Sequence, residues 1–407
     1  MTDRVNNVTE MTKLMEDSKY SESEDESSSC LKQFEATDLS FDTVPDSPSL
    51  RRKVNEIESL LSKDPTPPLQ TLRKLALSEG GLVCDELRRR VWPRLLSLDP
   101  GDAEPPPDPA SLLAHPEYQQ VVLDVNRSLK RFPPGIPYNR RVALQDQLTV
   151  LILRVITKYP HLRYYQGYHD VAVTFLLVVG EDVAFQIMER LSTDHLKDCM
   201  ELTMDKTSYL LNYIFPLIHR LHPALCEFLD RSGVGTMFCL PWFLTWYGHS
   251  LNRYRDVVRL YDYFLASPPL LPLYLVATIV VHRQDDVFRT DCDMASVHCL
   301  LSNLSDDLPF EKLLQQATEL YEKFPPESVE SEVEERCKRE ALRRKQEDAT
   351  RKALVSQRAR ANNPSWARRL RAWHVPHYKL LLFTASLAFG FYAYLRATPD
   401  AIDFVPR

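Results

Sequence analysis

The sequence predicts an all-α fold: one multi-helix body behind a disordered acidic tail, followed by a charged linker and a C-terminal transmembrane helix. Two observations carry that class. Only ten glycines occur in 407 residues, whereas strands joined by tight turns usually consume glycine. Apolar residues recur instead at the 3.6-residue period of a helix over long stretches. At 44% hydrophobic and 10% aromatic, the chain has ample material for one large core.

Residues 1–48 carry twelve acidic and four basic side chains, so the formal charge of −6 hides a nearly neutral remainder. The run Ser21-Glu22-Ser23-Glu24-Asp25-Glu26-Ser27-Ser28-Ser29 has little to bury and predicts disorder. Serines beside acids also suit an acid-directed kinase or a docking partner. No basic segment followed by an apolar run opens the chain, so no secretory signal peptide is expected.

The helical body is expected over residues 49–325. Leu50 to Ser62 reads as an amphipathic helix with Val54, Ile57, Leu60 and Leu61 on one side, ended by Asp64-Pro65-Thr66-Pro67-Pro68. A second helix spans Leu69 to Leu77 and stops near Gly80-Gly81; a third starts near Asp85 and runs through Trp92 to Leu96. Asp99 to Pro109, with five prolines, reads as an exposed loop. The next helix is expected from about Pro116 to Phe132, before Pro133-Pro134-Gly135. At about 100° per residue, Tyr118, Val122, Val125, Leu129 and Phe132 form its apolar stripe. Arg127 then points to the opposite, solvent-facing side, with Leu123 beside it.

Val142, Leu148, Leu151, Ile152, Val155 and Ile156 make the following helix strongly apolar, up to Tyr159-Pro160. A loop over Leu162 to Tyr168 leads into an apolar helix from about Asp170 to Val179. Gln166 therefore sits on a connection held by two buried helices, a place suited to positioning a side chain. From Val183 to Phe324 the helical pattern continues, punctuated at Pro216, Pro223, Gly233, Gly235, Pro241, Gly248, Pro268-Pro269 and Pro272. Trp242, Phe243, Trp246 and Tyr247 read as core or groove wall rather than a cofactor box, and no fixed-period repeat stands out.

Beyond Pro325-Pro326 the composition changes. Residues 326–373 read as a charged linker, helical and exposed or partly disordered, with eight basic residues and no acidic one from Arg351 to Lys379. Leu380 to Leu395 then runs sixteen residues without a charge, short of the roughly twenty of a usual span. Interfacial Trp373, His377, Tyr378, Tyr392 and Tyr394 and a snorkelling Lys379 extend the expected transmembrane segment to 374–396. A buried core helix is the competing reading, but no further domain follows for it to pack into. With 397–407 as a short lumenal tail, the expectation is a single-pass tail anchor. The basic flank places the body in the cytosol. So short a span suits the endoplasmic reticulum membrane, with the mitochondrial outer membrane as the rival.

Eight cysteines, at 30, 84, 199, 226, 239, 292, 299 and 337, show no C-x-x-C spacing, which favours thiols in a reducing compartment. Histidines and cysteines do not fall at zinc-ligand intervals, and neither a G-x-x-x-x-G-K-[ST] loop nor a G-x-S-x-G elbow occurs. No metal, no cofactor of its own and no nucleic-acid partner are expected.

Two islands remain, Val121-Val122-Leu123-Asp124-Val125-Asn126-Arg127 and Tyr164-Tyr165-Gln166-Gly167-Tyr168. Phosphoryl transfer leaves a protein little covalent chemistry to do: a water must be oriented and the charge growing on phosphate oxygens neutralised. An amide does the first and a guanidinium the second. Alone, Asp124 and Arg127 three apart are what an ordinary surface ion pair on a helix looks like. Their order and company set them apart. Leu87-Arg88-Arg89-Arg90-Val91-Trp92-Pro93-Arg94-Leu95-Leu96 precedes them, and Leu240-Pro241-Trp242-Phe243-Leu244-Thr245-Trp246-Tyr247 follows.

These four segments resemble, in order, the motifs of the TBC-domain Rab GTPase-activating proteins, with Val121 where isoleucine is usual. The resemblance implies a GTPase activator acting on a Rab GTPase in its GTP form, with GTP and magnesium held by that partner. It implies that Arg127 bridges transition-state charge and that Gln166 positions the hydrolytic water, both supplied in trans. Asp124 would hold the arginine or its helix in register, and Tyr164 would shape the loop presenting Gln166. A C-terminal membrane helix is uncommon in the family, and the combined resemblance to a membrane-anchored member implies vesicle transport between endoplasmic reticulum and Golgi. A catalytically silent Rab-binding scaffold, or a membrane adaptor, is the alternative.

Overall fold

The computed structural model describes residues 47–63, 67–99, 101, 105, 107–128, 136–361 and 377–397. Every regular element among them is helical. Helix α1 (Pro48–Leu61) opens on a proline, where the missing N–H costs nothing, and buries Ile57 and Leu61. Helices α2 (Leu69–Leu77) and α3 (Asp85–Leu95) follow within a residue of the limits expected. A short helix, α4 (Pro109–Leu113), begins at the end of the expected loop. Asp108 accepts a hydrogen bond from the Ala110 N–H and Pro109 takes the first position, a start signal that the surrounding prolines obscured.

Helices α5 (Tyr118–Ser128), α6 (Tyr138–Lys158), α7 (Tyr168–Val179) and α8 (Glu181–Thr193) form the first half of the core. Two sequence expectations change here. Helix α5 buries Val121, Asp124 and Val125, so its buried face is turned away from the Tyr118–Val122 edge of the expected stripe; Leu129 and Phe132 lie outside the described residues. In α6 the first buried position is Leu144, and Val142 is exposed.

After a 3-10 turn at Lys197–Met200, the second half comprises α9 (Asp205–Leu211), α10 (Ile214–Leu221), α11 (Pro223–Ser232), α12 (Leu240–Leu244), α13 (Tyr254–Ala266), α14 (Leu271–His282), α15 (Gln284–Arg289), α16 (Met294–Ser302) and α17 (Phe310–Lys323). Each half is built around a helix apolar on all sides. Helix α7 is buried from Tyr168 through Val178 except at Asp170, and packs on α3, α5, α6 and α8. Helix α14 is buried from Leu271 through Val280 and packs on α10 and α17. Helix α13 lies on α2 and α3, its Tyr261 meets Phe175 of α7, and its Tyr263 hydroxyl donates to the Leu314 carbonyl of α17.

An aromatic cluster fills the junction: Trp92 meets Phe175 edge-on at 5.3 Å, and Tyr261 lies 5.1 Å from Phe175 and 5.4 Å from Trp246. Beside it, fully buried Asp262 accepts hydrogen bonds from Arg88 Nε at 3.1 Å, Trp92 Nε1 at 2.8 Å and the Leu82 N–H at 2.9 Å. Arg88 also donates to Asp85 at 2.9 Å, and Tyr254 donates to the same carboxylate at 2.8 Å. Breaking a buried ion pair strands its partner's charge, at about 3–5 kcal/mol. Asp262→Ala is therefore expected to lower unfolding free energy by about that amount in a urea titration. A loss below about 1 kcal/mol, the range of an exposed pair, would contradict this account.

Helix α18 (Pro326–Ala361) begins in the first compact unit, where Val329 and Val333 are buried, and passes at Glu334 into a second. In the second unit it carries i,i+4 pairs such as Lys338–Glu334 and Arg343–Glu347. Helix α19 (His377–Ala397) exposes Leu381, Phe383, Phe389 and Phe391. The transmembrane segment expected over 374–396 falls partly on it, while residues 374–376 lie outside the described residues, as do 1–46 of the acidic tail. Among the described residues no helix is long and apolar enough to cross a membrane.

Candidate functional site

Helix α5 presents Arg127 because its opposite face is anchored. Val121 and Val125 are buried, and the Arg127 side chain is 67% exposed. Its Nε–H donates to the Leu123 carbonyl one turn back at 3.2 Å, and Nη2 lies 3.6 Å from Asp124 Oδ1. Asp124 is no solvated partner, being only 3% exposed. Its other oxygen, Oδ2, accepts from Gln120 Nε2 at 3.0 Å and lies 3.1 Å from the Tyr164 hydroxyl. Burial, reinforced by the Asp124 charge, pushes the Tyr164 phenol far above its usual range. Tyr164 therefore remains a protonated donor at any physiological pH.

Gln166 is held outward by its neighbours. Tyr165 turns inward and donates to the Leu244 carbonyl at 2.9 Å, and the Tyr168 hydroxyl pairs with Ser192 Oγ at 2.7 Å. Upstream, the Arg163 N–H donates to the Met200 carbonyl at 2.7 Å, and the Tyr164 N–H donates to Glu117 at 3.2 Å. Gly167 adopts φ +112°, and a Cβ there would stand 2.9 Å from Thr245 Cγ2. Only glycine serves both conditions, which explains the residue that follows the glutamine. Gln166 itself is exposed.

A third segment, Thr245 to His249, closes the site. Trp246 and Tyr247 are buried with φ of +46° and +67°, conformations that cost residues with a Cβ roughly 1–2 kcal/mol each. Aromatic burial offsets that strain, and the reward is a sharp reversal. Gly248 then passes so near the Asp170 carbonyl that a Cβ would lie 3.3 Å from it. His249 Nδ1 reaches Asp170 Oδ2 at 3.2 Å. From the other side His169 places Nε2 at 3.5 Å from the same oxygen and Nδ1 at 2.8 Å from the Tyr164 hydroxyl. Burial lowers the His169 pKa despite the neighbouring Asp170 and Asp124 carboxylates.

Arg127 and Gln166 thus line one cleft of about 260 Å³, together with Asp124, His169, Asp170 and His249. Two sequence islands separated by helix α6 have become one surface. The four site residues named from the sequence fall together: Arg127 and Gln166 at the opening, Asp124 and Tyr164 beneath. His169, Asp170 and His249 were missed. His169 and Asp170 directly follow the glutamine island, but His249 comes from a distant turn and carried no spacing signal. Chemically the cleft offers a guanidinium and an amide to an anion and a water brought from outside. Among the described residues no group of three His, Cys, Asp or Glu side chains is arranged to hold a metal ion.

The family model described as the Rab-GTPase-TBC domain matches residues 85–288. The chain belongs to this RabGAP-TBC family. TBC1 domain family member 20 of Homo sapiens is 50% identical over 285 residues, covering 70% of this chain and 70% of that protein. The GTPase-activating protein gyp10 of Schizosaccharomyces pombe is 31% identical over 257 residues, covering 63% of this chain and 67% of the relative. In three dimensions the chain resembles the crystal structure of the Ypt/Rab-GAP domain of Gyp1p, with a TM-score of 0.55 at 15% identity over 66% of this chain and 97% of that one. That likeness establishes the helical fold.

Proposed function

We propose that this chain stimulates GTP hydrolysis by a membrane-bound Rab GTPase, supplying Arg127 and Gln166 in trans. The observation that carries the reading is their convergence: an exposed guanidinium paired with buried Asp124 and an exposed glutamine on a loop fixed by its neighbours line one cleft. In this mechanism Arg127 bridges charge between the β- and γ-phosphates and Gln166 orients the attacking water. Asp124 holds the base of the arginine, and Tyr164 ties Asp124 to the loop that carries the glutamine. GTP and magnesium belong to the partner. The test is single-turnover GTP hydrolysis by a panel of Rabs with and without the full chain. Binding without acceleration of any Rab would reduce the protein to a scaffold.

The place of action we propose is the endoplasmic reticulum membrane, with the body in the cytosol and a Rab of ER-to-Golgi traffic as substrate. Support comes from the uncovered apolar side chains of α19 and from the basic stretch Arg351 to Lys379 before it. Attachment beside a membrane-bound partner raises effective concentration without touching the transition state. Removal of residues 374–407 is accordingly expected to release the protein from membranes in a fractionation while leaving its solution rate constant unchanged. Retention of the shortened chain on membranes would refute the anchor.

A further inference from the structure

Tyr164 is tied to the α5 segment at both of its ends. Its N–H donates to Glu117 Oε2 at 3.2 Å, and its hydroxyl donates to Asp124 Oδ2 at 3.1 Å. Seven residues are two turns of helix, so Glu117 and Asp124 stand on nearly one face, about 10 Å apart along the axis. The tyrosine therefore lies along α5 as a strut. Neither sequence island contains Glu117. We infer that Glu117 is a positioning residue for Gln166: by holding the Tyr164 backbone, two residues before the glutamine, it fixes where the glutamine loop stands along the helix that carries Arg127.

Glu117 occupies a place where its residue type is unusual. Its carbonyl accepts the first intrahelical bond of α5, from the Val121 N–H at 3.0 Å, so it caps the helix start. Caps are usually Asn, Asp, Ser or Thr, whose short side chains fold back onto first-turn N–H groups. Glu117 sends its carboxylate across to the loop instead. Its own N–H donates to His115 Nδ1 at 3.2 Å, which holds its backbone while the side chain reaches out.

Among the described residues the other polar contacts of the loop lead elsewhere. The Arg163 N–H goes to Met200, the Tyr165 hydroxyl to Leu244 and the Tyr168 hydroxyl to Ser192. They fix the loop against the 3-10 turn, α12 and α8, and none of them reaches α5. Packing of α5 on α7 sets the separation of the helix from the end of the loop. Displacement along the helix axis is opposed by the two Tyr164 ties, and the hydroxyl tie alone leaves the Tyr164 backbone free to pivot about the side-chain bonds. Water can satisfy the Tyr164 N–H once Glu117 is gone, but it does not hold that N–H to α5. Glu117 is half-buried, so its replacement opens no core cavity.

The kinetic arm rests on the proposed GTPase-activating reading; the exchange arm does not. In the full chain carrying ¹⁵N-tyrosine, the Tyr164 amide is identified by the signal lost in Tyr164→Phe. Its hydrogen exchange is expected to be about tenfold faster in Glu117→Ala and Glu117→Asp, the loss of one charge-assisted hydrogen bond, and near native in Glu117→Gln. On the Rab that responds to the native chain, the reach of the side chain should decide the rate, not its charge. Glu117→Gln keeps an acceptor oxygen at the same reach and loses the charge that favours a helix start. Its saturating single-turnover rate should stay within about threefold of native. Glu117→Asp keeps the charge and caps better, yet falls one methylene short. It and Glu117→Ala should lose about tenfold, the scale of a small displacement of a reacting group, with half-saturation nearly constant. A residue that merely capped the helix would give the reverse order, with Glu117→Asp native-like. In the Gln166→Ala background, Glu117→Ala should cost almost nothing more, because the group it places is already gone. Unchanged Tyr164 exchange in Glu117→Ala would overturn the inference. So would a native-like rate in Glu117→Asp, or an equal loss of rate with and without Gln166. If no Rab responds to the native chain but the exchange follows the expected order, the function fails and the positioning stands.

Discussion

Arg127→Ala is expected to lower stimulated GTP hydrolysis about 10³-fold or more, the low end of what an arginine supplied to a transferring phosphoryl group contributes. The loss should appear in the saturating single-turnover rate, because in the proposed mechanism the guanidinium acts on charge that develops only in the transition state. Stability should barely change. The side chain is two-thirds exposed, and its pair with Asp124 is long at 3.6 Å. A pair that open contributes about 0–1 kcal/mol. Asp124 keeps Gln120 and Tyr164 as partners when the arginine is gone. Arg127→Lys should fail almost as badly, since a point ammonium lacks the planar fork that reaches two oxygens at once. Near-native stimulation by a well-folded Arg127→Ala protein would remove the basis of the proposed mechanism.

How much of this arrangement was legible in the sequence depends on how local its causes are. The limits of α2 and α3 are set by nearby prolines, glycines and acidic first-turn residues, and they were read closely. The exposure of Arg127 followed from helical geometry. The buried face of α5 did not, because α5 packs against both α6 and α7. Its core side is therefore wide enough to take in Val121 and Asp124, an acid that a wheel assigns to solvent. Asp124 is tolerated there only because Gln120 and Tyr164 answer it, and Tyr164 lies far away in sequence. Likewise the place of Gln166 between two buried helices was apparent, but the clash that makes Gly167 obligatory involves Thr245. His249 was wholly invisible. The turn that delivers it depends on two aromatic residues at positive φ, a conformation that no local propensity predicts for them.

The same dependence on position governs the glutamine. Gln166→Ala is expected to reduce the stimulated rate about 10²-fold or more, the cost of removing one fixed hydrogen-bond donor from a transition state. The backbone should hold, since Tyr165, Gly167 and Tyr168 fix the loop and the Gln166 side chain is exposed. A GTPase normally orients the attacking water with its own glutamine. If Gln166 takes over that task, a Rab whose own glutamine is replaced should still respond substantially to the native chain. The same Rab should not respond to Gln166→Ala, because neither partner then holds the water. The two substitutions should therefore be far from additive. Replacing the Rab glutamine should cost little beside native protein and nearly everything beside Gln166→Ala. The opposite pattern, an unresponsive altered Rab together with an active Gln166→Ala protein, would mean that the water is positioned within the GTPase. The cleft would then supply only Arg127, and the outward presentation of Gln166 would serve contact with the partner rather than chemistry.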